Sequence, residues 1–270
     1  MSLTIGVDVG GTKVAGGVVD EAGMILARAR VDIPPLNSAA AEEAIITVVG
    51  ELRREHEVES VGVGVAGFVD AERAGLHFSA NLPGWDDEPL RDHVMARVGL
   101  PVVIENDANA AAWGEHRFGA GRGETHLVCV TVGTGVGGGI IIDSELFRGR
   151  YGIGAEIGHM RVVADGRRCG CGQRGCWEQY ASGNALVREA RERATEARSE
   201  AGVLLRLGDG TPEGIRGPHV TEAARHGDAV ALAAFEAIGT WLGQGLADLA
   251  AVLDPGCFVI GGGVSEAGDL

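Results

Sequence analysis

One histidine and three cysteines fall within eighteen residues of this chain: His159, then Cys169, Cys171 and Cys176. The full run reads Glu156-Ile-Gly-His159, nine residues of spacer, then Cys169-Gly-Cys171-Gly-Gln-Arg-Gly-Cys176-Trp-Glu178. Four N/S donors suit tetrahedral zinc, and four protein ligands leave no open coordination position, so the ion is expected to be structural. Gly170, Gly172 and Gly175 let a tight loop turn its thiolates inward. Glu156 and Glu178 bracket the ligands, which points to a metal bracing a polar site. The competing reading is a disulfide. Cys169 and Cys171 are too close to bridge each other comfortably, five cysteines is an odd count, and no signal-like segment opens the sequence. Cys129 and Cys257 lie in apolar runs and read as core thiols.

Phosphate chemistry is suggested at the N-terminus. Leu3 to Asp20 reads as a β-hairpin whose tip, Gly10-Gly11-Thr12-Lys13, offers backbone N–H groups, a hydroxyl and an ammonium. Asp8, just before the turn, can reach a phosphate-bound Mg²⁺. An ordinary hairpin would look the same in isolation. The run from His126 to Asp143 repeats the design with Gly133-Thr134-Gly135 at its turn, which suggests two lobes built on one plan. A third glycine cluster, Gly261-Gly262-Gly263, follows an apolar strand at Cys257–Ile260. Proton-transfer chemistry is suggested at Pro101–Trp113. There a short strand ends in Glu105-Asn106-Asp107 and passes into an Ala-rich helix, the place where α/β proteins put reactive groups. Asp107 can act as a base and Asn106 can bind hydroxyls. A helix N-cap accounts for one residue of this run and leaves the others unexplained.

The remaining elements position these groups. Gly62-Val-Gly64-Val-Ala-Gly67 fits G-x-G-x-x-G, but the motif is itself a strand continued by Phe68-Val69-Asp70, so dinucleotide binding is rejected. Its small residues are expected to allow close packing, with Gly67 near a ligand. Helices are expected over Glu88–Val98, Ala181–Ala201 and Asp228–Leu253, and a loop over Gly208–Pro218. The 270 residues carry a net charge of -15 and a single lysine, Lys13, which argues against nucleic acid and anionic membrane as partners. No apolar run is expected to reach transmembrane length, and the chain is expected to be cytoplasmic. Forty-five glycines punctuate Val/Ile runs and imply tight turns rather than disorder.

Taken in order, Asp8-Val-Gly-Gly-Thr-Lys13, Glu105-Asn-Asp-Ala-Asn109, Gly133-Thr-Gly-Val-Gly-Gly-Gly139, Glu156-Ile-Gly-His159, the cysteine run and Gly261-Gly-Gly263 resemble the ROK family of bacterial sugar kinases and sugar-responsive repressors. The resemblance runs from residue 4 to 265. It implies an α/β, two-lobed actin/hexokinase-like (ribonuclease H-like) ATPase fold, with a small N-terminal lobe over 1–112 and a larger C-terminal lobe with the zinc loop over 113–270. It implies ATP-dependent phosphorylation of a hexose, glucose first among them. The alternatives are another sugar (fructose, mannose, N-acetylglucosamine or N-acetylmannosamine) or a non-catalytic sugar-binding regulator. Carried over residue by residue, Asp107 becomes the general base. Asn106, Asp107, Glu156, His159 and Glu178 meet sugar hydroxyls, with Gly67 and Asn81 lining the pocket. Asp8, Gly10, Gly11, Thr12, Lys13, Thr134 and Gly135 hold MgATP phosphates, and Gly262 and Gly263 lie beside adenosine. The resemblance also implies a homo-oligomer, dimer or tetramer. Two departures are expected to matter. No room precedes residue 3 for a repressor's helix-turn-helix, and the family's last strand and closing helix would lie beyond Leu270.

Overall fold

The computed structural model describes residues 2–35, 37–79, 84–85 and 88–270. The chain divides into two compact units, the first comprising Met1–Leu127 with Gly139–Ala155, the second Val128–Gly138 with Glu156–Leu270.

In the first unit, β1 (Thr4–Val9), β2 (Lys13–Val19), β3 (Ile25–Asp32), β4 (Ser60–Val65) and β7 (Val102–Asn106) form one sheet in the order β3-β2-β1-β4-β7. A two-stranded ribbon of β5 (Phe68–Val69) and β6 (Leu76–Phe78) follows β4. The expected hairpin is present, with β1 antiparallel to β2 from Thr4↔Val19 to Val9↔Val14. The expected continuation of β4 through Asp70 is interrupted at Ala66–Gly67, and β5 is a separate strand. Alternation decides the faces. Ile5, Val7, Val9, Val61, Val63, Val65, Val102 and Ile104 are buried, while Gly6, Gly62 and Gly64 occupy the intervening positions. Helix α1 (Ser38–Leu52) covers the sheet with Ala41, Ala44, Ile45, Val48, Val49 and Leu52, an i, i+3, i+4 stripe. Its N-cap is Asn37, whose side chain accepts the Ala40 N–H, a contact of a type worth about 1 kcal/mol. A Cβ at Gly16 would lie 2.5 Å from Val48 Cγ1, so glycine there lets α1 approach β2. Helix α2 (Leu90–Val98) buries Leu90, Val94 and Val98, and α3 (Asp107–Phe118) leaves directly from β7. Gly64 meets α3 at the Asp107 Cα, 3.7 Å from where its Cβ would be.

Strands β8 (Leu127–Val132), β9 (Val136–Ile142), β10 (Glu145–Leu146) and β11 (Cys257–Gly261) form a second sheet, in the order β10-β9-β8-β11. The helices of the second unit are α4 (Glu178–Ala181), α5 (Gly183–Glu196), α6 (Gly202–Leu207), α7 (Gly217–Arg225) and α8 (Ala229–Leu253). Their shared core is rich in alanine: Ala185, Ala190, Ala194, Ala223, Ala224, Ala231 and Ala234 pack with Leu186, Leu204, Ile215 and Phe235. Small side chains let the helix axes come close. Asp228, buried, caps α8 through Ala231 N–H and also accepts the N–H groups of Val203 and Leu204 at the start of α6.

Three expectations need correction here. The helix predicted over Ala181–Ala201 breaks at Ser182, whose side chain caps α5, and α5 stops at Glu196. The loop predicted over Gly208–Pro218 ends early, because Pro218 sits in the first turn of α7, where a missing N–H costs nothing. Finally, α8 does meet the length and composition of a membrane span, with a mean hydropathy of 1.2 over its most apolar window. The same length and composition are met by core helices of soluble proteins. This one buries Val230, Ala231, Ala234, Phe235, Ile238, Gly245 and Leu249 against its neighbours.

Candidate active site

Strand direction gathers the first set of residues. β1 and β4 are parallel, with Asp8 opposite Gly64, and β4 and β7 are parallel, with Gly64 opposite Glu105 and Val65 opposite Asn106. The carboxyl ends of all three strands therefore share one sheet edge. The Gly10–Thr12 turn, Gly67 and the pair Asn106-Asp107 all leave from it, as ligand-binding residues do in open α/β sheets. The turn is closed by Gly10 N–H to Lys13 O at 2.9 Å, and Thr12 O accepts the Ile33 N–H at 2.9 Å. A Cβ at Gly11 would have nothing within 4 Å. Glycine is thus not required there by the fold, and the space beside it is open.

At the end of β7 the helix cap is Asn106. Its Oδ1 accepts the Asn109 N–H at 3.0 Å, and its Nδ2 donates to Gly67 O at 3.1 Å. Asp107 is the first helical residue, its Oδ1 accepting the Ala108 N–H at 2.9 Å. Its carboxylate is open to solvent on one side and crowded by protein on the others. That loss of water pushes its pKa above the ordinary 3.8, the Ala108 N–H pulls it down, and the charge of Asp8 pushes it up again. Asp8 is raised as well, by loss of water, with Lys13 pulling the other way. Two carboxylates that feel each other, one beside a Gly-rich turn and one at a helix start, can divide the tasks of holding a cation and accepting a proton.

In the second unit the Gly133–Gly135 turn joins β8 to β9. It is held by the start of α5, where Gly183 N–H donates to Gly133 O at 2.8 Å. Thr134 is exposed at its tip. Gly262 has φ +94°, and a Cβ there would meet Val132 O at 2.6 Å; Val264 N–H donates to the same oxygen at 3.0 Å. The Thr134-Gly135 turn and the Gly262-Gly263 segment are thus anchored to the two ends of one dipeptide, Val132-Gly133. A Cβ at Gly135 would come within 2.5 Å of Glu178 Oε2, so this turn also packs on the carboxylate that follows the cysteine run.

The cysteine run forms a compact cluster. One ligand atom each from His159, Cys169, Cys171 and Cys176 lies within 4.8 Å of the others. His159 Nδ1 is 3.6 Å from Cys169 Sγ, and Cys171 Sγ is 3.7 Å from Cys176 Sγ. A tetrahedral ion with bonds of about 2.3 Å to sulfur and about 2.1 Å to nitrogen requires separations of about 3.6 Å (S···N) and about 3.8 Å (S···S). Two of the separations match these values and all lie within 4.8 Å, so the four side chains are close enough to share one metal ion, and all five cysteines are free of disulfides. Burial first, then the Glu178 carboxylate, pushes the Cys169 thiol up; burial, then Cys171, does so for Cys176. A divalent cation is what can deprotonate such thiols. Glu156 precedes a 3-10 turn, Ile157–His159, whose N–H(159) donates to Glu156 O at 3.0 Å. Gly158 is required, because a Cβ would collide with Val136 O. Behind the loop, fully buried Trp177 donates Nε1–H to Trp241 O at 2.7 Å, and its ring lies against Gly245 of α8.

The structure brings Asp8, Gly10–Lys13, Gly67, Asn106 and Asp107 to one edge of the first unit. It brings Thr134, Gly135, Glu178, Gly262 and Gly263 around β8 in the second, with His159 beside Glu178 through Cys169. Asn81 lies outside the described residues. At Gly67 the expected close packing is present, since a Cβ there would meet Leu76 Cδ2 at 2.7 Å and Phe78 O at 2.8 Å. Its glycine serves the β6 contact, while its carbonyl orients Asn106. Sequence reading missed Arg148 and Arg73, which converge on Glu105. Arginines in loops carry no spacing signal; the one available hint was a charged Glu105 ending an apolar strand.

A mixed α/β chain with polar strand ends, glycine turns and a His/Cys metal loop defines a sugar-kinase type of fold. The chain belongs to the ROK family, whose family model matches residues 4–270. It is 54% identical over 270 residues to a glucokinase of Streptomyces coelicolor, covering 100% of this chain and 84% of that protein. An N-acetylmannosamine kinase of Yersinia pseudotuberculosis is 34% identical over 267 residues, covering 99% of this chain and 85% of that one. Among solved structures, a ROK family glucokinase from Streptomyces griseus in complex with glucose and AMPPNP is 56% identical with a TM-score of 0.91, covering 98% of this chain and 85% of that one.

The metal loop yields a direct expectation. Elemental analysis of protein purified under reducing conditions should find about one tightly held metal ion per chain. Cys171→Ser should release it and lower Tm, because ligand assembly and folding are coupled. Metal-free parent protein, or a Cys171→Ser variant with unchanged Tm and metal content, contradicts the assignment.

Proposed function

We propose that this chain transfers the γ-phosphoryl group of ATP to the 6-hydroxyl of glucose, with Asp107 as general base. The observation that carries the reading is the shared strand edge, where accessible Asp107 sits within electrostatic reach of Asp8. The glucose and AMPPNP bound to the Streptomyces griseus glucokinase supply the substrate class. Phosphoryl transfer depends mainly on positioning and charge stabilisation. The sugar oxygen forms a bond to the γ-phosphorus as the bond to the leaving ADP oxygen breaks, and the hydroxyl proton passes to the Asp107 carboxylate. Such a base contributes about 10²–10⁴-fold. Asn106, Glu156, His159 and Glu178 bind sugar hydroxyls in this reading, with Gly67 and Asn81 beside them. Gly10 to Lys13 and Thr134-Gly135 hold phosphates, and Gly262 and Gly263 face adenosine.

Two ions belong to the proposal. Zinc fits the cluster of one nitrogen and three sulfurs, where its role is to fix His159 and Glu178. Mg²⁺ travels with ATP and supplies charge neutralisation at the phosphates, and Asp8 is the residue placed to meet it through water. A homo-oligomer, the state that the family resemblance implies, completes the picture. A second reading, a kinase for N-acetylmannosamine or another hexose, is favoured by the Yersinia relative. A panel of sugars with MgATP ranks the two, and kcat/KM highest for glucose is the expected result.

Asp107→Asn is expected to lower kcat by about two orders of magnitude or more while the calorimetric Kd for glucose changes little. Because Asn106, not Asp107, is the cap of α3, loss of capping cannot mimic this result. Turnover within a few-fold of the parent would exclude Asp107 as the base.

Gly11→Val should fold normally, since nothing lies within 4 Å of its Cβ position. Its KM for MgATP should rise by about tenfold or more, with glucose affinity retained, because the branched side chain fills the space a phosphate needs. Equal losses for both substrates in folded protein argue against a phosphate turn here.

A further inference from the structure

We infer that Glu105, clamped by Arg148 and Arg73, is a positioning residue that sets the sugar-binding amide of Asn106 in the first unit; the inference rests on the kinase reading above. Glu105 is only 6% exposed. Burying an ionised carboxylate is costly unless every oxygen is paired. Glu105 lies on the face of β7 opposite Val102 and Ile104, in the row of Gly64. An apolar residue could fill this buried position without that cost, so the charge calls for a reason of position.

Each oxygen of Glu105 has its own task. Oε2 accepts from Arg148 Nε at 2.7 Å and lies 3.3 Å from Arg73 Nε, the latter an ion pair by distance. Oε1 accepts the Asn106 N–H at 3.1 Å and Asn109 Nδ2 at 3.3 Å. Asn109 N–H returns to Asn106 Oδ1, and Asn106 Nδ2 goes on to Gly67 O. The Asn106 side-chain amide is therefore held at two points, by the first turn of α3 and by the Gly67 carbonyl just after β4, while Glu105 holds its backbone N–H and, through Asn109, the residue that its Oδ1 meets.

The two guanidiniums bring two further segments to this point. Arg73 stands in the turn between β5 and β6, at φ +55°, a left-handed conformation unusual for a long side chain. Its carbonyl accepts the Ile104 N–H at 3.2 Å, and Asp70 holds the same turn through the N–H groups of Ala74 and Gly75. Arg148 opens the segment 148–155 that runs directly into Glu156. Gly154 N–H folds back to Arg148 O at 2.8 Å, and a Cβ at Gly152 would strike the Val69–Ala71 backbone. One buried carboxylate thus sets the register of the base-bearing strand end against the chain that leads to the second group of sugar ligands.

The test compares the parent with Glu105→Gln, Arg148→Lys and the double variant, measuring kcat, both KM values, glucose Kd by calorimetry and Tm. Glu105→Gln keeps the shape and loses the charge. It is expected to raise glucose KM and Kd by about tenfold or more, with KM for MgATP within about twofold. Arg148→Lys keeps the charge but loses the Nε–H and should follow in the same direction. The double variant should be little worse than Glu105→Gln alone, because both break one clamp. A residue that matters only for stability would lower Tm and leave the glucose constants of folded molecules unchanged. Folded Glu105→Gln with glucose KM and Kd within about twofold of the parent overturns the inference. If that variant does not fold, the same criterion applied to Arg148→Lys decides. A parent inactive on glucose would defeat the kinase reading, while glucose Kd across the same variants would still judge the clamp.

Discussion

The parallel pairing of β1, β4 and β7 is the constraint on which the proposed chemistry depends. Register places Asp8, Gly64 and Glu105 in one row across the sheet, and Val9, Val65 and Asn106 in the next. A slip of one residue would turn every side chain to the opposite face. The buried valines on alternate positions prevent that slip, so the apolar core on one face fixes the polar groups at the edge. Gly64, between the two charged neighbours, lies beside the start of α3, and Asp107 is near enough to Asp8 for their charges to couple. Packing and electrostatics are here the same fact seen at two levels.

The metal loop solves a different problem. Between Arg161 and Glu178 the chain has little regular structure, only isolated bridges at Arg161↔Cys176 and Arg168↔Arg174. Such a segment cannot hold side chains to the tolerance that ligand binding demands unless something replaces a hydrophobic core. The cluster of His159, Cys169, Cys171 and Cys176, which could hold a metal ion, can do so at one end, and buried Trp177 against Gly245 does so at the other. Glu178 follows Trp177 directly and inherits both anchors. Its contact with the Gly135 turn means that the metal loop and a proposed phosphate turn share one wall.

Much of this was legible in the sequence, for identifiable reasons. Glycine turns between β-rich runs gave both hairpins, and the His/Cys spacing gave the cluster, because these rules are local. The Asn-Asp pair announced a strand-to-helix switch, although Asn106 takes the cap and Asp107 does not. Helix α1 went unseen although it carries an i, i+3, i+4 stripe, α6 and α7 were missed because six and nine residues give too few turns for a clear period, and the long helix expected after Ala181 was broken by the cap at Ser182. The Glu105–Arg148–Arg73 cluster was invisible for a stronger reason. Its members lie 32 to 75 positions apart, and only tertiary folding brings them together.

The central claim is that the Asp107 carboxylate, accessible but partly shielded from water and near Asp8, takes the proton from the sugar. An ionised carboxylate is required, and its pKa lies above the ordinary 3.8, so activity must be lost on acidification at a pH higher than a free aspartate would give. Asp8 is shifted the same way, so the acid limb reports the pair. The direct measurement is kcat/KM for glucose across pH, which reports the group before the sugar binds, with unfolding followed at each point. A limb above 3.8 in folded enzyme, absent from the residual turnover of Asp107→Asn, is the predicted result. A profile that stays flat until the protein unfolds, or a limb unchanged in that variant, would contradict it.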